Sequence, residues 1–145
     1  MKPINLRLAD FDDAPQITAL TKQLGYQSTE EDMACRLAEL NQQANDAIFV
    51  AESETDGVVG WIHLHVHRDL LNNPVVLING LVVDKAHRGQ GIGSEMLEQA
   101  ELWGQAHGCE AIYVKSNIIR ERAHRFYEKH GYRHIKTQYA FLKTL

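Results

Sequence analysis

Val75-Val76-Leu77-Ile78-Asn79-Gly80-Leu81-Val82-Val83, then Asp84-Lys85-Ala86-His87 and Arg88-Gly89-Gln90-Gly91-Ile92-Gly93-Ser94, is the stretch from which this 145-residue chain can be read. Its first part is β-branched and nearly free of charge, which predicts a strand buried on both faces. From Ile92 onward Met96, Leu97, Ala100, Trp103 and Ala106 recur near helical spacing, with Glu95, Glu98, Glu101 and Gln105 on the other side. That periodicity predicts an amphipathic helix ending near Gly108. A buried strand therefore feeds a long helix through a glycine-rich turn.

Such a turn suits an anion. The first turn of a helix leaves N–H groups without intrahelical partners and carries a partial positive charge. Glycines at 89, 91 and 93 remove the Cβ atoms that would hold a diphosphate off the backbone, and Arg88 adds a permanent cation with forked donors. Spacing alone leaves open a tight strand-to-helix turn packed for its own sake. Two better-known phosphate loops fail: no Lys follows Gly91 or Gly93 as the P-loop requires, and the third glycine of the dinucleotide fingerprint would fall on Ser94.

Arg, two residues, Gly, one residue, Gly, preceded by Leu81-Val82-Val83-Asp84, resembles the acetyl-CoA loop of the GNAT acetyltransferase superfamily. The resemblance continues through Ala111-Ile112-Tyr113-Val114 as the next strand. It runs on through Ala123-His124-Arg125-Phe126-Tyr127-Glu128-Lys129-His130-Gly131-Tyr132 as the following helix and its exit. It covers residues 75 to 145 well and 1 to 74 in outline. It implies a single α/β domain over 1–145, with a mixed sheet of about six to seven strands flanked by about four helices.

Composition sets the outer bounds. The 44% apolar and 23% charged fractions are those of one globular domain, and no apolar run reaches the length of a membrane span. No secretory leader pattern opens the sequence, and Cys35 and Cys109 are too few for a disulfide framework, so a cytoplasmic location is expected. Both cysteines read as small packing residues. Residues 1 to 74 hold 5 Lys/Arg and 12 Asp/Glu, a charge of −7, while residues 75 to 145 hold 10 and 7, a charge of +3. A polyanionic cofactor suits the second half and a cationic amine the first, although a solvated acidic surface explains the split equally well. The lack of a basic stripe disfavours a nucleic-acid partner.

The rest of the chain fits around the central stretch. Ile4-Asn5-Leu6-Arg7-Leu8 alternates as a half-buried strand does. Asp12 is placed to cap a helix carrying Ile17, Leu20 and Leu24 on one face and closing at Gly25. Ser28 to Glu31 has capping-box spacing for a second helix with Met33, Leu37 and Leu40 inward. Ile48 to Glu52 and Val58 to Ile62 form a hairpin across Thr55-Asp56-Gly57, and the second strand runs on so that His63, His65 and His67 share one face. That row suits a polar sheet face, a proton relay or a metal, in descending order, because no carboxylate or Cys is spaced with it; no metal site is expected. Ala111 to Lys115 should lie parallel to the central strand, Arg120 to His130 should form a short helix, and Arg133 to Lys136 and Tyr139 to Leu142 read as closing strands.

The resemblance also assigns roles. Acetyl-CoA would be the co-substrate, with Leu81, Val82 and Val83 offering backbone groups to the pantetheine arm and Arg88, Gly89, Gln90, Gly91, Ile92, Gly93 and Ser94 holding the pyrophosphate. Tyr127 falls where the family places its general acid; read without the family, it is a core aromatic beside Phe126. Many members carry Asn seven residues before this Tyr, where this chain has Arg120, with Asn117 three residues earlier; both are cofactor-binding candidates. Tyr26, in the link between the first two helices, and Asn79 are candidates for the acceptor side. Asn79-Gly80 also stands where many members place an acidic residue, so no base is evident, and a proton would leave to water or through a strand histidine or Tyr26. The reaction expected is acetyl transfer to a primary amine, of a small molecule or a peptide, by direct attack in a ternary complex. A non-catalytic CoA-binding module stays open as the alternative, and the sequence is compatible with a homodimer.

Overall fold

A computed structural model describes residues 3–145. It divides into two compact units, the first ending at Val114 and the second spanning Lys115–Leu145. In the first, β1 (Ile4–Leu8), α1 (Ala14–Lys22), α2 (Glu30–Leu40), β2 (Asp46–Ser53), β3 (Gly57–His67), β4 (Val75–Val83), α3 (Ile92–Ala106) and β5 (Ile112–Val114) follow in order. The five strands lie side by side in chain order, antiparallel except for the parallel pair β4–β5 that the α3 crossover requires.

Strand periodicity divides the apolar side chains between two faces. On one, Ile48, Val50, Val58, Val82 and Trp61 pack with Ile17 and Leu20 of α1 and Leu37 of α2. On the other, α3 lies over the middle of the sheet, where Gly60 leaves room for Met96 and Ile92, and Gly104 leaves room for Val76. Ile62, Leu64, Val76 and Met96 are fully buried there.

β4 departs from the expectation of burial on both faces. Val76, Ile78 and Val82 are buried but Asn79 is exposed, because the strand carries a bulge: His63 pairs with Gly80 and Leu64 with Ile78, leaving Asn79 as the extra residue. The caps also shift. Asp12 caps nothing: Asp10 accepts from Asp12 N and Asp13 accepts from Asp10 N, a reciprocal box around the 3-10 turn Phe11–Asp13 that leads into α1, and Asp13 is also held by a bidentate pair with Arg7 at 2.8 Å on each arm. Thr29, not Ser28, caps α2, and Ser28 instead accepts from Arg36. Cys35 is exposed rather than packed.

The second unit holds α4 (Glu121–Lys129), stopped at Gly131 in the left-handed region. Its aromatic side chains gather on one another, Tyr127 touching Phe126 and Tyr132 at ring separations of 5.3 and 5.6 Å. The two expected closing strands do not form. Residues 133–145 contain no strand, and Tyr139, Phe141 and Leu142 are 91%, 95% and 95% exposed. Alternation specifies a strand only where a partner edge pairs with it, and here none does among the described residues. Among the described residues the sheet therefore has five strands instead of about six to seven, with four α-helices as expected.

Candidate active site

In the first unit the end of β4 leads through a single 3-10 turn, Lys85–His87, to Arg88 and α3. β4 pairs with β5 only over Val76–Ile78, whereas Leu81, Val82 and Val83 pair with Ile62, Trp61 and Gly60 of β3 and have no strand on their other side among the described residues. Their outward backbone groups are thus available to an extended ligand, as a splayed strand end would offer. Val83 is an exception in part, because its carbonyl accepts from Arg88 Nε at 3.3 Å. That bond holds the arginine against the strand end.

Gly91 is the N-cap residue of α3 at φ +84°, and no side chain caps the helix. A Cβ built at Gly89 or Gly91 meets nothing within 4 Å. These glycines are required by backbone conformation and not by crowding: their φ angles of +78° and +84° lie where L side chains are strained. Open space before an uncapped, 15-residue helix is the arrangement a diphosphate needs. Gln90, Ile92, Gly93 and Ser94 complete the turn, with Ile92 buried beneath it as an anchor.

The face bearing Trp61 continues along β3 through His63, His65 and His67. Asp46, across on β2, accepts from both of the first two: one carboxylate oxygen lies 2.8 Å from His63 Nε2 and 3.1 Å from His65 Nδ1. His67 pairs instead with Asp69. The sequence expectation that no carboxylate accompanies this row is corrected: register, not spacing along one strand, brings Asp46 to it. Among the described residues no group of three His, Cys, Asp or Glu side chains is arranged to hold a metal. His63 also lies opposite Gly80 on β4, directly before the splayed segment.

Asn79 stands out from the bulge, exposed, and Tyr26 follows the turn at Gly25 with 68% of its surface exposed. In the second unit, Asn117 uses its side-chain carbonyl to accept from Ile119 N at 3.2 Å, while its backbone carbonyl accepts from Arg120 N and His124 Nε2. Arg120 precedes α4 and is exposed. Tyr127 lies on α4; burial pushes its phenol above the ordinary value and the charge of Arg120 opposes that shift, so the hydroxyl keeps its proton.

A further cluster was not read from the sequence. His87 bridges two carboxylates, Nε2 to Asp56 and Nδ1 to Asp84, each at 2.8 Å. Gln23, at the end of α1, donates to Asp84 at 2.8 Å and accepts from Lys85 N at 3.0 Å. The signal available in the sequence was only an Asp three residues before a His beside the glycine turn.

A splayed strand end, a glycine turn and an uncapped helix follow one another here, and comparison with known proteins supplies the class. The acetyltransferase (GNAT) family matches residues 14–132, and the chain belongs to it. It is an acetyl-CoA-dependent N-acetyltransferase. An aminoalkylphosphonate N-acetyltransferase from Salmonella typhimurium is 34% identical over 100% of this chain and 94% of its own length. An aminoglycoside N(6')-acetyltransferase type 1 from Acinetobacter baumannii is 19% identical over 75% of this chain and 77% of its own. Among solved structures, an aminoglycoside N-acetyltransferase in complex with CoA superposes with a TM-score of 0.89 at 17% identity, over 100% of this chain and 97% of that one, which bears on the fold. No helix among the described residues is long and apolar enough to cross a membrane.

Proposed function

We propose that the enzyme acetylates the primary amine of a small acceptor by direct attack within a ternary complex. The observation that carries this is the splayed end of β4 running into the left-handed glycine turn and uncapped start of α3. Leu81 to Val83 would present backbone groups to the pantetheine arm and Arg88 to Ser94 would hold the diphosphate; Asn117 and Arg120 stay cofactor-binding candidates on the family resemblance. Tyr127 is the general acid: a phenol held protonated can give its proton to the leaving thiolate as the C–S bond breaks. His63, held by Asp46 and with Nδ1 unbonded among the described residues, takes the proton that the attacking amine loses. Asn79 and Tyr26 border the acceptor. On this reading residues 1–145 act as one catalytic domain.

The acceptor class we favour is a short alkyl amine carrying a phosphonate, because the relative so named matches over the whole chain. A second reading, a polycationic aminoglycoside, is favoured by the −7 charge of residues 1 to 74. Free Cys35 and Cys109 are in keeping with a reducing cytoplasm, and the exposed Tyr139, Phe141 and Leu142 favour a homodimer. Acetyl-CoA turnover should be followed as free thiol against a panel of aminoalkylphosphonates, aminoglycosides and peptide amines. Thiol release with the first group alone is the expected result. CoA binding with no release for any amine would leave a binding module in place of an enzyme.

A further inference from the structure

An imidazole with both nitrogens 2.8 Å from carboxylate oxygens has one consistent protonation state. Ionised Asp56 and Asp84 can only accept, so both ring nitrogens of His87 must carry hydrogens, and the ring is a cation. Its side chain is only 14% exposed, and it sits one residue before Arg88. The two carboxylates come from different places: Asp56 from the β2–β3 turn, Asp84 from the end of β4, where its own amide donates to Val59 O at 2.8 Å. The bridge thus clamps the chain entering the glycine turn onto the hairpin on one side and, through Gln23, onto α1 on the other.

A diphosphate site has a particular need for such a clamp. Two carboxylates close to an anion site repel its ligand, and in the absence of a cation between them they would also repel each other. We propose that His87 is a positioning residue for the phosphate turn, which as an imidazolium fixes the backbone of residues 84–88 and masks Asp56 and Asp84 from the diphosphate of the acyl donor. The proposal rests on the assignment of Arg88 to Ser94 as the diphosphate site. The charged groups facing the ring are Asp56 from the hairpin and Asp84 from its own segment, in which Lys85 and Arg88 are sequence neighbours; Gln23 from α1 is neutral.

The sign of the pH dependence follows. The bonds to Asp56 and then Asp84 raise the His87 pKa above its ordinary value, so the clamp is intact below that value and is lost as pH rises through the raised one. Asp84 is lowered, by Gln23 first and His87 second, and keeps its charge until well into acid. Affinity for CoA should therefore fall on the alkaline side.

The test compares CoA with pantetheine, which lacks the phosphates, by calorimetry. His87→Gln should weaken CoA binding about tenfold, the scale of losing charge-assisted bonds, and leave pantetheine binding unchanged. Adding Asp56→Asn to that variant should restore part of the loss, because one of the carboxylates to be masked has gone, whereas a purely structural staple would be damaged further. Wild-type protein supplies a check that needs no variant: the ratio of CoA to pantetheine affinity should fall as pH rises through the raised His87 pKa, and below it imidazole nitrogen NMR should show both His87 nitrogens protonated. Equal losses for CoA and pantetheine, or no loss of CoA affinity, would overturn the proposal. If Gly91→Val also left CoA affinity intact, the diphosphate site itself would be misassigned; if Gly91→Val abolished binding while His87→Gln did not weaken it, only the role of His87 would fail.

Discussion

The two units are built on opposite terms. Among the described residues, every buried apolar residue of the core lies between Ala9 and Ala100, and the seven largest fully buried side chains are all in the first unit. From Lys115 to Leu145 no residue is fully buried, and nine helical residues are the only regular structure. A segment of that size with one short helix cannot stabilise itself. Charge divides the same way: residues 1–114 hold 7 Lys/Arg and 17 Asp/Glu, a charge of −10, and residues 115–145 hold 8 and 2, a charge of +6. The difference separates two kinds of residue. Changes in the buried core of the first unit should register as stability and changes at its glycine turn as donor affinity, whereas loss of the Tyr127 hydroxyl in the second should register as rate.

Gly91→Val gives the sharpest contrast. A β-branched residue at φ +84° is strained and its methyls enter the open space before α3, so CoA binding should be abolished while the buried core is untouched. Calorimetry with CoA, alongside a melting curve, measures both. Unchanged affinity in a folded variant would remove the diphosphate assignment from the first unit.

Asp13→Ala should be the costliest for stability. Asp13 is buried and bonded twice to Arg7, so its removal takes two charge-assisted bonds from a part-exposed guanidinium that Glu52 still pairs, at about 2 kcal/mol. Phe126→Ala, on the half-exposed α4, should cost less. Denaturant titrations of both variants would reverse the comparison if Phe126 proved the more damaging. The bonds from Arg7 hold the Asp13 pKa below its ordinary value; its contribution is therefore complete above the unfolded pKa and is lost as pH falls through the folded one. Asp13→Asn should remove that acid dependence, as melting temperatures across the acidic range would record.

Tyr127→Phe removes only a hydroxyl. Loss of a general acid typically lowers the rate by roughly 10² to 10⁴, and the low end is expected because a thiolate is a fair leaving group. Acetyl-CoA affinity and the melting temperature should hardly move. Single-turnover kinetics at saturating amine would return Tyr127 to a packing role if transfer ran at the parent rate.

The smallest effect concerns charge. If the acidic first half selects cationic acceptors, kcat/KM should favour positively charged amines over matched neutral ones by a few-fold and the preference should fade with salt. A preference for phosphonate-bearing amines that ignores salt would assign the acidic surface to solvation alone.

Much of this was legible from residues 75 to 107, because a charge-free strand, a run of glycines and a helical stripe are local patterns with local causes. The glycine turn, the extent of α3 and the stop at Gly131 all follow from conformational preferences of single residues. Pairings between strands were less accessible. Asp46 reaches His63 and His65 only through the β2–β3 register, and the bulge that exposes Asn79 depends on how β3 and β4 align. The closing strands failed for the same reason in reverse: Arg133 to Lys136 and Tyr139 to Leu142 have the composition of strands, but composition does not supply an edge to pair with. The cap fell to Asp10 because a 3-10 turn at Phe11–Asp13 precedes α1, so Asp12 supplies a backbone N–H to the box in place of a side chain.

The close approach of the Trp61 indole to Gly80 bears on how this enzyme can change by mutation. A Cβ at Gly80 would sit 2.6 Å from Trp61 Cη2 and 2.7 Å from Cζ3, so the indole already occupies the room where an acidic side chain on β4 would begin. A rigid bicyclic ring on a sheet face cannot yield as the end of a flexible chain can. Glu at position 80 is thus closed to this sequence as a first step and opens only after Trp61 has become smaller. The two substitutions must arrive in one order, and a lineage that keeps the tryptophan keeps position 80 without a side chain.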